Sequence, residues 1–305
     1  MNHQQVLLSA NNTNIGTTVS YVMSGPLARS YASIDGLTWA EYSQPGSTIE
    51  QTIYANGQWI SVGNSGTILT SSDGKNWTQQ TSGTTNTLQG VAWNSSLGLY
   101  AVVGYQTSLV SRILTSPDGV TWTSRTAPTG IQLLCVTSTP TGFCASGRDT
   151  SAGQTIDVTS TDGITWTRNV IDAAGNTIVS VLHNGTNRVM LSANCDLYIG
   201  NTSYTIPNSL GDANEVIWTG SRYIVVGGNT SNITMTLWHS TTGTGSWTTV
   251  QILSTANRPA YSVVWDGTKY LVAGTNGIFA TSTNLSTWDV GTAGFNTLRT
   301  AAYKP

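Results

Sequence analysis

Short apolar runs alternate with polar, glycine-containing turns along most of the chain. Residues 263–274 (VVWDGTKYLVAG) and 216–227 (VIWTGSRYIVVG) each carry an apolar run, a polar turn with glycine, and a run that alternates aromatic and aliphatic residues. This pattern predicts a tight β-hairpin. A second phrase recurs downstream of such hairpins, as TSSDGKNWT at residues 70–78 and TSPDGVTWT at 115–123. The short runs before and after this phrase predict two further strands, which gives a unit of four strands.

The spacing of the phrase predicts the number of units. The tryptophans that close the phrase are Trp39, Trp77, Trp122, Trp166, Trp247 and Trp288. They lie 38 to 45 residues apart, except for one gap of 81 residues that spans two units. A degenerate copy around Tyr204 fills this gap and makes seven units. Four strands every 40 to 45 residues, roughly, are typical of a propeller blade. The sequence therefore predicts an all-β fold, one seven-bladed β-propeller of four-stranded blades over residues 1–305.

The two ends of the chain predict how the ring closes. Residues 296–305 (NTLRTAAYKP) align with residues 86–94 (NTLQGVAWN), which are a first strand. Residues 5–12 (QVLLSANN) align with residues 188–195 (RVMLSANC), which are a second strand. We expect the C-terminal strand to pair with the N-terminal blade, because this pairing removes two open sheet edges.

The repeated phrase is interpreted as architecture rather than chemistry. Its aspartate can accept hydrogen bonds from backbone N–H groups of the turn, and its glycine supplies a positive φ. Its tryptophan can be buried between neighbouring blades. The residues assigned this structural role are Asp35, Gly36, Trp39, Asp73, Gly74, Trp77, Asp118, Gly119, Trp122, Asp162, Gly163, Trp166, Trp247 and Trp288.

On the basis of these repeated phrases, the chain resembles the Asp-box propellers, which are also called bacterial neuraminidase repeat propellers. Their consensus is Ser/Thr-x-Asp-x-Gly-x-Thr-Trp. Here glycine directly follows aspartate, and the last two copies lose the aspartate, which is Asn284 in the final one. The resemblance implies the propeller fold. It leaves function open, because sialidases, xyloglucanases, sorting receptors and photosystem-assembly factors all look like this.

Glycosidase chemistry is the less favoured expectation. The resemblance implies an Arg-Ile-Pro motif, an arginine triad and a Tyr–Glu nucleophile pair in a sialidase, but the tripeptide does not occur in this sequence. The glutamates are Glu41, Glu50 and Glu215, and we expect the latter two to be solvent-facing turn residues near the rim of the ring. The sequence thus predicts a protein without catalytic residues.

Composition narrows the classes of partner. Charged residues make up 9% of the chain and the formal net charge is −2, which argues against nucleic acid. No run approaches the roughly 18 apolar residues of a membrane span, and the first residues lack the pattern of a secretory signal peptide. A surface rich in hydroxyls and amides is typical of extracellular adhesins and phage virion proteins.

Metal and redox sites are not expected. The three histidines, His3, His183 and His239, have no metal-ligand spacing, and no cofactor is predicted. For Cys135 and Cys144, buried free thiols are favoured over a disulfide across adjacent strands.

Binding is expected on the face where the repeats differ. The loops between second and third strands are long at residues 11–29, 105–112, 148–157 and 228–234. Insertions on one face of a repeat ring often mark its working surface. The candidate ligand-binding residues there, suited to stacking on sugars and bonding their hydroxyls, are Tyr21, Tyr105, Arg112, Arg148, Asp149, Asn229 and Asn232. Ordinary polar loops are the alternative interpretation.

Two functions are weighed. The first is a non-enzymatic structural or attachment protein of a bacteriophage virion, on the tail or head. It would be present in several copies and contact other virion proteins and a host surface glycan. The alternative is a glycan-binding lectin or a glycoside hydrolase that acts on cell-surface polysaccharide.

Overall fold

The computed structural model describes residues 18–106, 110–206, 212–228, 234–254, 258–294 and 296–305. The described residues form seven antiparallel sheets of four strands each. The prediction of an all-β, seven-bladed propeller is confirmed. None of the described segments forms a helix that is long and apolar enough to cross a membrane.

The blades follow one another along the chain. Blade 1 contains β1 (Tyr21–Ser24), β2 (Arg29–Ser33) and β3 (Ala40–Ser43), together with the C-terminal strand β28 (Thr300–Tyr303). Blade 2 contains β4 (Ile49–Ala55), β5 (Gln58–Gly63), β6 (Ile68–Ser71) and β7 (Thr78–Gln79). Blade 3 contains β8 (Thr87–Asn94), β9 (Leu99–Tyr105), β10 (Ser111–Ser116) and β11 (Thr123–Arg125). Blade 4 contains β12 (Ile131–Thr139), β13 (Gly142–Asp149), β14 (Thr155–Ser160) and β15 (Thr167–Asp172).

The remaining three blades have the same plan. Blade 5 contains β16 (Ile178–His183), β17 (Arg188–Ser192), β18 (Asp196–Ile199) and β19 (Thr202–Thr205). Blade 6 contains β20 (Ala213–Trp218), β21 (Tyr223–Gly228), β22 (Met235–Ser240) and β23 (Thr248–Leu253). Blade 7 contains β24 (Ala260–Trp265), β25 (Tyr270–Gly274), β26 (Ile278–Ser282) and β27 (Asp289–Thr292). Two short 3₁₀ turns are Asn64–Gly66 and Thr275–Gly277.

The first strand of every blade contacts the first strands of both neighbouring blades, so these seven strands surround a central axis. Because each sheet is antiparallel, its turns alternate between the two sides of the ring. The turns between first and second strands and between third and fourth strands lie on one side, here called the box face. The loops between second and third strands and the links between blades lie on the other side, the loop face.

The C-terminal strand closes the ring as predicted. β28 pairs antiparallel with β1, and the register joins Tyr21 to Tyr303 and Ser24 to Thr300. The partner strand was misassigned, however: the second strand of blade 1 is Tyr21–Ser24, whereas the sequence assigned it to residues 5–12. That segment lies outside the described residues. The apolar run YVMS supplies the pairing because all four of its residues are buried in the closed blade.

The repeated phrase forms the same turn in successive blades. In blade 1 the Asp35 carboxylate accepts hydrogen bonds from the N–H groups of Leu37 and Thr38, both at 2.8 Å. The Ser33 hydroxyl accepts from the Gly36 N–H at 2.8 Å, and Gly36 has a φ of +73°. Blades 2, 3 and 4 repeat these contacts around Asp73, Asp118 and Asp162. In blade 7 the Asn284 side chain accepts the equivalent two bonds, which explains why the turn survives the loss of the carboxylate.

The tryptophans of the phrase join neighbouring blades. The rings of Trp39 in blade 1 and Phe279 in blade 7 lie 5.6 Å apart between centroids. Trp39, Trp77 and Trp166 are buried. Trp122, Trp247 and Trp288 are half-buried and pack on hydrophobic clusters. Burial of aromatic surface between blades accounts for the repetition without catalysis.

Candidate functional site

The candidate residues from the sequence do not converge on one site. Tyr21 lies in strand β1 at its box-face end, and not in a loop of the loop face as expected. Its ring is buried against Trp39, and its hydroxyl donates to the Asp266 carboxylate. The expectation was wrong because it placed the second strand of blade 1 too early in the chain, which left Tyr21 in the loop. Its contacts are those of a structural residue.

Asp149 and Arg148 lie at the end of β13 rather than in the loop that follows, and only Arg148 is exposed. The buried Asp149 carboxylate accepts backbone N–H groups of Ser151 and Ala152 at 2.9 and 3.1 Å and pairs with Arg168 at 2.6 Å. Burial by itself raises the pKa of this carboxyl, but the backbone N–H bonds outweigh it and lower the pKa to about 2. Asp149 therefore shapes its own loop.

Tyr105 and Arg112 also belong to strands, β9 and β10 respectively, and flank residues that lie outside the described part of the chain. Asn229 and Asn232 lie outside the described residues. Of the seven candidates, Arg112 lines a cavity on the loop face. Its Nη1 donates to the Ser124 hydroxyl at 3.2 Å.

That cavity is an open cleft between blades 2 and 3 with a volume of about 840 Å³. Its lining consists of hydroxyls, amides, glycines and one guanidinium, with no aromatic ring and no carboxylate among the described residues: Ser65, Gly66, Gln79, Gln80, Thr81, Ser82, Gly83, Thr84, Thr85, Asn86, Gln106 and Arg112. Asn86 is 5% exposed, and its Nδ2 has no hydrogen-bond partner within the described part of the chain. The Arg112 Nε is also buried and also has no hydrogen-bond partner among the described residues. The part formed by residues 79–86 was not predicted from the sequence, because this link resembles other polar links between blades.

A second cavity of about 190 Å³ lies on the central axis and is lined by residues of all seven first strands or their approaches. It contains Glu50 and Glu215, which were expected to be solvent-facing turn residues. They lie instead within β4 and β20. Both face the axis because the first strands of blades 2 to 7 carry a β-bulge near their start, in which Glu50 is the extra residue of β4 and Glu215 directly follows the extra residue of β20. A bulge places one extra residue out of the ladder and re-aims its side chain.

In five blades the residue after the bulge, or the equivalent Thr300 of β28, joins its blade to the next one. A hydrogen bond runs from a backbone N–H of the following first strand to this side chain at five of the seven junctions, as follows. Thr300 accepts from Thr52 (3.0 Å), Gln51 from Val91 (2.7 Å), Ser180 from Val216 (3.3 Å), Glu215 from Val263 (2.7 Å) and Ser262 from Ala301 (3.0 Å). These bonds satisfy inner-edge N–H groups that the sheets themselves leave unpaired.

The two carboxylates that line this axial cavity, Glu50 and Glu215, differ in their environment. Glu50 forms an ion pair with Arg299 at 2.6 Å. Glu215 is enclosed by protein except for the channel, and within the described residues it forms no ion pair. Burial raises the pKa of Glu215 to about 7, although the N–H of Val263 and the hydroxyl of Ser262 oppose the rise.

The other reactive groups offer little chemistry. Burial raises the pKa of both the Cys135 and Cys144 thiols to about 12, so neither is a ready thiolate, and the two are not bonded to each other. The turn aspartates Asp73, Asp118 and Asp162 have a pKa of about 2 because turn N–H groups bind their ionised form. Within the described ranges no group of three or more His, Cys, Asp or Glu side chains is placed to hold a metal ion.

Comparisons with known proteins identify the fold alone. No protein-family model and no curated protein sequence matches the chain. A structure of YCF48 bound to D1 peptide is similar over 94% of this chain and 88% of that one, with a TM-score of 0.63 and 12% identity. The WD40 β-propeller domain of Doa1 is similar over 94% and 90%, with a TM-score of 0.63 and 12% identity. YCF48 from Cyanidioschyzon merolae is similar over 79% and 84%, with a TM-score of 0.59 and 16% identity. The chain thus shares its seven-bladed architecture with propellers of diverged sequence.

Proposed function

We propose that the protein is a non-enzymatic binding propeller that serves as a structural or attachment component of a bacteriophage particle. Its partner is a polypeptide segment that docks in the cleft between blades 2 and 3. The observation that carries the binding proposal is the chemistry of this cleft, which offers hydrogen-bond donors and one positive charge without a carboxylate.

Two unpaired donors favour a ligand rich in carbonyl or carboxylate oxygens. A buried donor without a partner costs about 1–3 kcal/mol. The Asn86 Nδ2 and the Arg112 Nε are both in this state within the described residues. Both atoms lie beneath the surface of the cleft, so a peptide backbone would supply the missing acceptors once the Asn86 amide and the Arg112 guanidinium turn toward it. Sugar rings are less suited, because the described lining offers no aromatic platform.

Several observations support a role without catalysis. The turn aspartates and Asp149 each accept hydrogen bonds from backbone N–H groups, which favours their ionised, structural form. Glu50 is paired with Arg299. No second carboxylate free of such partners accompanies Glu215 in the described channel lining, so a glycosidase pair lacks one of its members.

The particle context rests on composition and on the absence of the Arg-Ile-Pro motif that a sialidase would carry. Charged residues are 9% of the chain, so hydroxyl and amide side chains supply most of its polar groups. The similar structure of YCF48 bound to D1 peptide supports the idea that a propeller of this size can present a peptide site.

Peptide binding is tested with a displayed random peptide library selected on the immobilised protein. We expect selected peptides to bind the wild type and to lose about tenfold or more in affinity on Arg112→Met, because a charge-assisted contact is removed. Arg148→Met is the matched control, since Arg148 is an exposed arginine outside the cleft lining. Equal loss in both variants would contradict the proposed site.

The competing functions are tested on the same protein. Saturable binding on a glycan array without any peptide selection would favour the lectin alternative, and release of reducing sugar with turnover would refute the non-enzymatic role. The particle assignment is tested by mass spectrometry of density-purified phage from the source organism. Absence of the chain from intact particles would refute it.

A further inference from the structure

The axial cavity of about 190 Å³, called here the channel mouth, is lined by residues that differ from blade to blade. The bulge positions of blades 2 to 7 and the equivalent position before β28 carry seven different side chains, namely Glu50, Gln89, Leu134, Val179, Asn214, Tyr261 and Arg299. All seven line the axial cavity. The fold therefore requires no single residue type at this position of the blade.

The variation divides the mouth into two halves. Leu134 and Val179 belong to adjacent blades and form an apolar arc. Glu50 and Arg299, an ion pair at 2.6 Å, lie across the axis from it in adjacent blades 2 and 1. A volume of about 190 Å³ exceeds the room that one water requires. The mouth therefore suits a small group with an apolar part and a polar end.

Glu215 is the candidate partner for the polar end of such a ligand. It lies in blade 6, next to the blade of Val179, and its Oε2 accepts the Val263 N–H at 2.7 Å. The remaining titratable and charged groups of the described channel lining are Glu50, Arg299, Tyr261 and Cys135. The single cation among them is held by Glu50, so Glu215 is the one carboxylate of this lining without a counter-charge.

From these contacts we propose that the axial channel mouth binds a primary alkylammonium group, with the cation at Glu215 and the alkyl chain against Leu134 and Val179. The natural ligand of this chemistry is the lysine side chain of a protein partner. A guanidinium is less suitable, since its two parallel N–H bonds would compete with the bonds that the Glu215 carboxylate already accepts from the Val263 N–H and the Ser262 hydroxyl. A divalent metal would need more anionic ligands than the lining supplies.

Neutral acceptors complete the site. The Asn214 Nδ2 donates to the Ala260 carbonyl at 2.7 Å, which leaves its Oδ1 as an acceptor. The hydroxyl of Ser262 is a partner of Glu215. Because burial favours the protonated carboxyl, binding below neutral pH transfers the Glu215 proton to solvent and leaves a carboxylate–ammonium pair. This site is independent of the cleft between blades 2 and 3.

The probe is n-butylammonium chloride, a mimic of the lysine side chain, followed by ¹H–¹⁵N correlation spectra of the full chain. We expect saturable shifts of the Val263 and Asn214 amide signals, and none with n-butanol. Glu215→Gln should weaken binding about tenfold or more, because the charged partner is lost. Asp289→Asn removes the same charge from an exposed site on β27 and should leave affinity unchanged, as should Arg112→Met in the cleft.

Proton release gives a second measurement that needs no variant. Calorimetry of the wild type in buffers of different ionisation enthalpy should show close to one proton released per bound cation at about pH 6, and almost none at about pH 8.5. Equal binding of n-butanol, full affinity in Glu215→Gln, or the absence of proton release at low pH would each overturn the proposal. Loss of peptide binding at the cleft would not affect it.

Discussion

Glu215→Gln tests the electrostatics of the channel through stability. The substitution keeps a side-chain oxygen to accept the Val263 N–H but removes the titrating proton. The pKa of Glu215 is raised from 4.5 to about 7 in the folded chain, mainly by burial. In the unfolded chain the carboxyl ionises near its ordinary value. Between those two pH values the folded chain therefore binds a proton that the unfolded chain has released.

The sign and size of the effect follow from this difference. Below about pH 4.5 both states are protonated and the group contributes nothing. Stability of the wild type falls as pH rises from there to about 7, by 1.36 kcal/mol per pH unit at most, which gives about 3 kcal/mol. Contact with channel water reduces the penalty, so we expect Glu215→Gln to be more stable than the wild type by about 1–3 kcal/mol at pH 8 and nearly equal at pH 4.

Urea unfolding between pH 4 and pH 8.5, followed by tryptophan fluorescence, measures the difference. Asp289→Asn is the control, because it makes the same chemical change at an exposed position. The control should track the wild type across the pH range. A gap between Glu215→Gln and the wild type that stays constant with pH, or a wild type that gains stability relative to the variant at pH 8, would refute the reasoning.

Three further predictions concern the frame of the ring. Gly66 and Gly57 have similar backbone conformations, with φ of +72° and +79°. A Cβ added at Gly66 would lie 1.9 Å from a backbone oxygen, whereas a Cβ added at Gly57 would meet open space. Gly66→Ala should therefore cost about 1–3 kcal/mol more in urea unfolding, and equal costs would contradict the steric account. Asp73→Ala should cost about 1–3 kcal/mol at pH 7 while Asp73→Asn costs little, as Asn284 shows. The Asp73 contribution should be present above about pH 4 and lost as pH falls through about 2, so acid titration of Asp73→Asn should lack that loss. Deletion of residues 296–305 removes β28 and exposes the edge of β1, so light scattering should detect self-association or calorimetry a loss of cooperative unfolding, and a monomer with unchanged melting would refute the closure role.

The repeat made the architecture predictable. Each Ser-x-Asp-Gly turn is a local device, in which hydrogen bonds span two or three residues, so its sequence is sufficient to identify it. The spacing of the turns, with a degenerate copy in the one long gap, then gave the blade count, and the partial units at the ends gave the closing strand. The assignment of the strand beside β28 was wrong because two apolar segments compete for one place in the sheet, and local pattern does not rank them.

The candidate site was less predictable than the fold. Arg112 was found because it lies beside a long loop, but the cleft also requires the link between blades 2 and 3, which has no distinctive composition. Asp149 was chosen as an exposed polar residue, yet five hydrogen-bond donors, including Arg168, hold its carboxylate inside its own loop. Whether the Asp149 carboxylate meets these donors depends on how the loop folds.

The sequence alone determined what is local and repeated: the strands, the turns that join them and the number of blades. Those features depend on contacts within about ten residues, where the order of residue types fixes the geometry. Only the tertiary structure decided where Glu50 and Glu215 lie, because the bulges of β4 and β20 turn these residues toward an axis that exists once all seven blades are assembled. The environment of Glu215 is set by residues from the other blades around it, and so its charge state is a property of the closed ring.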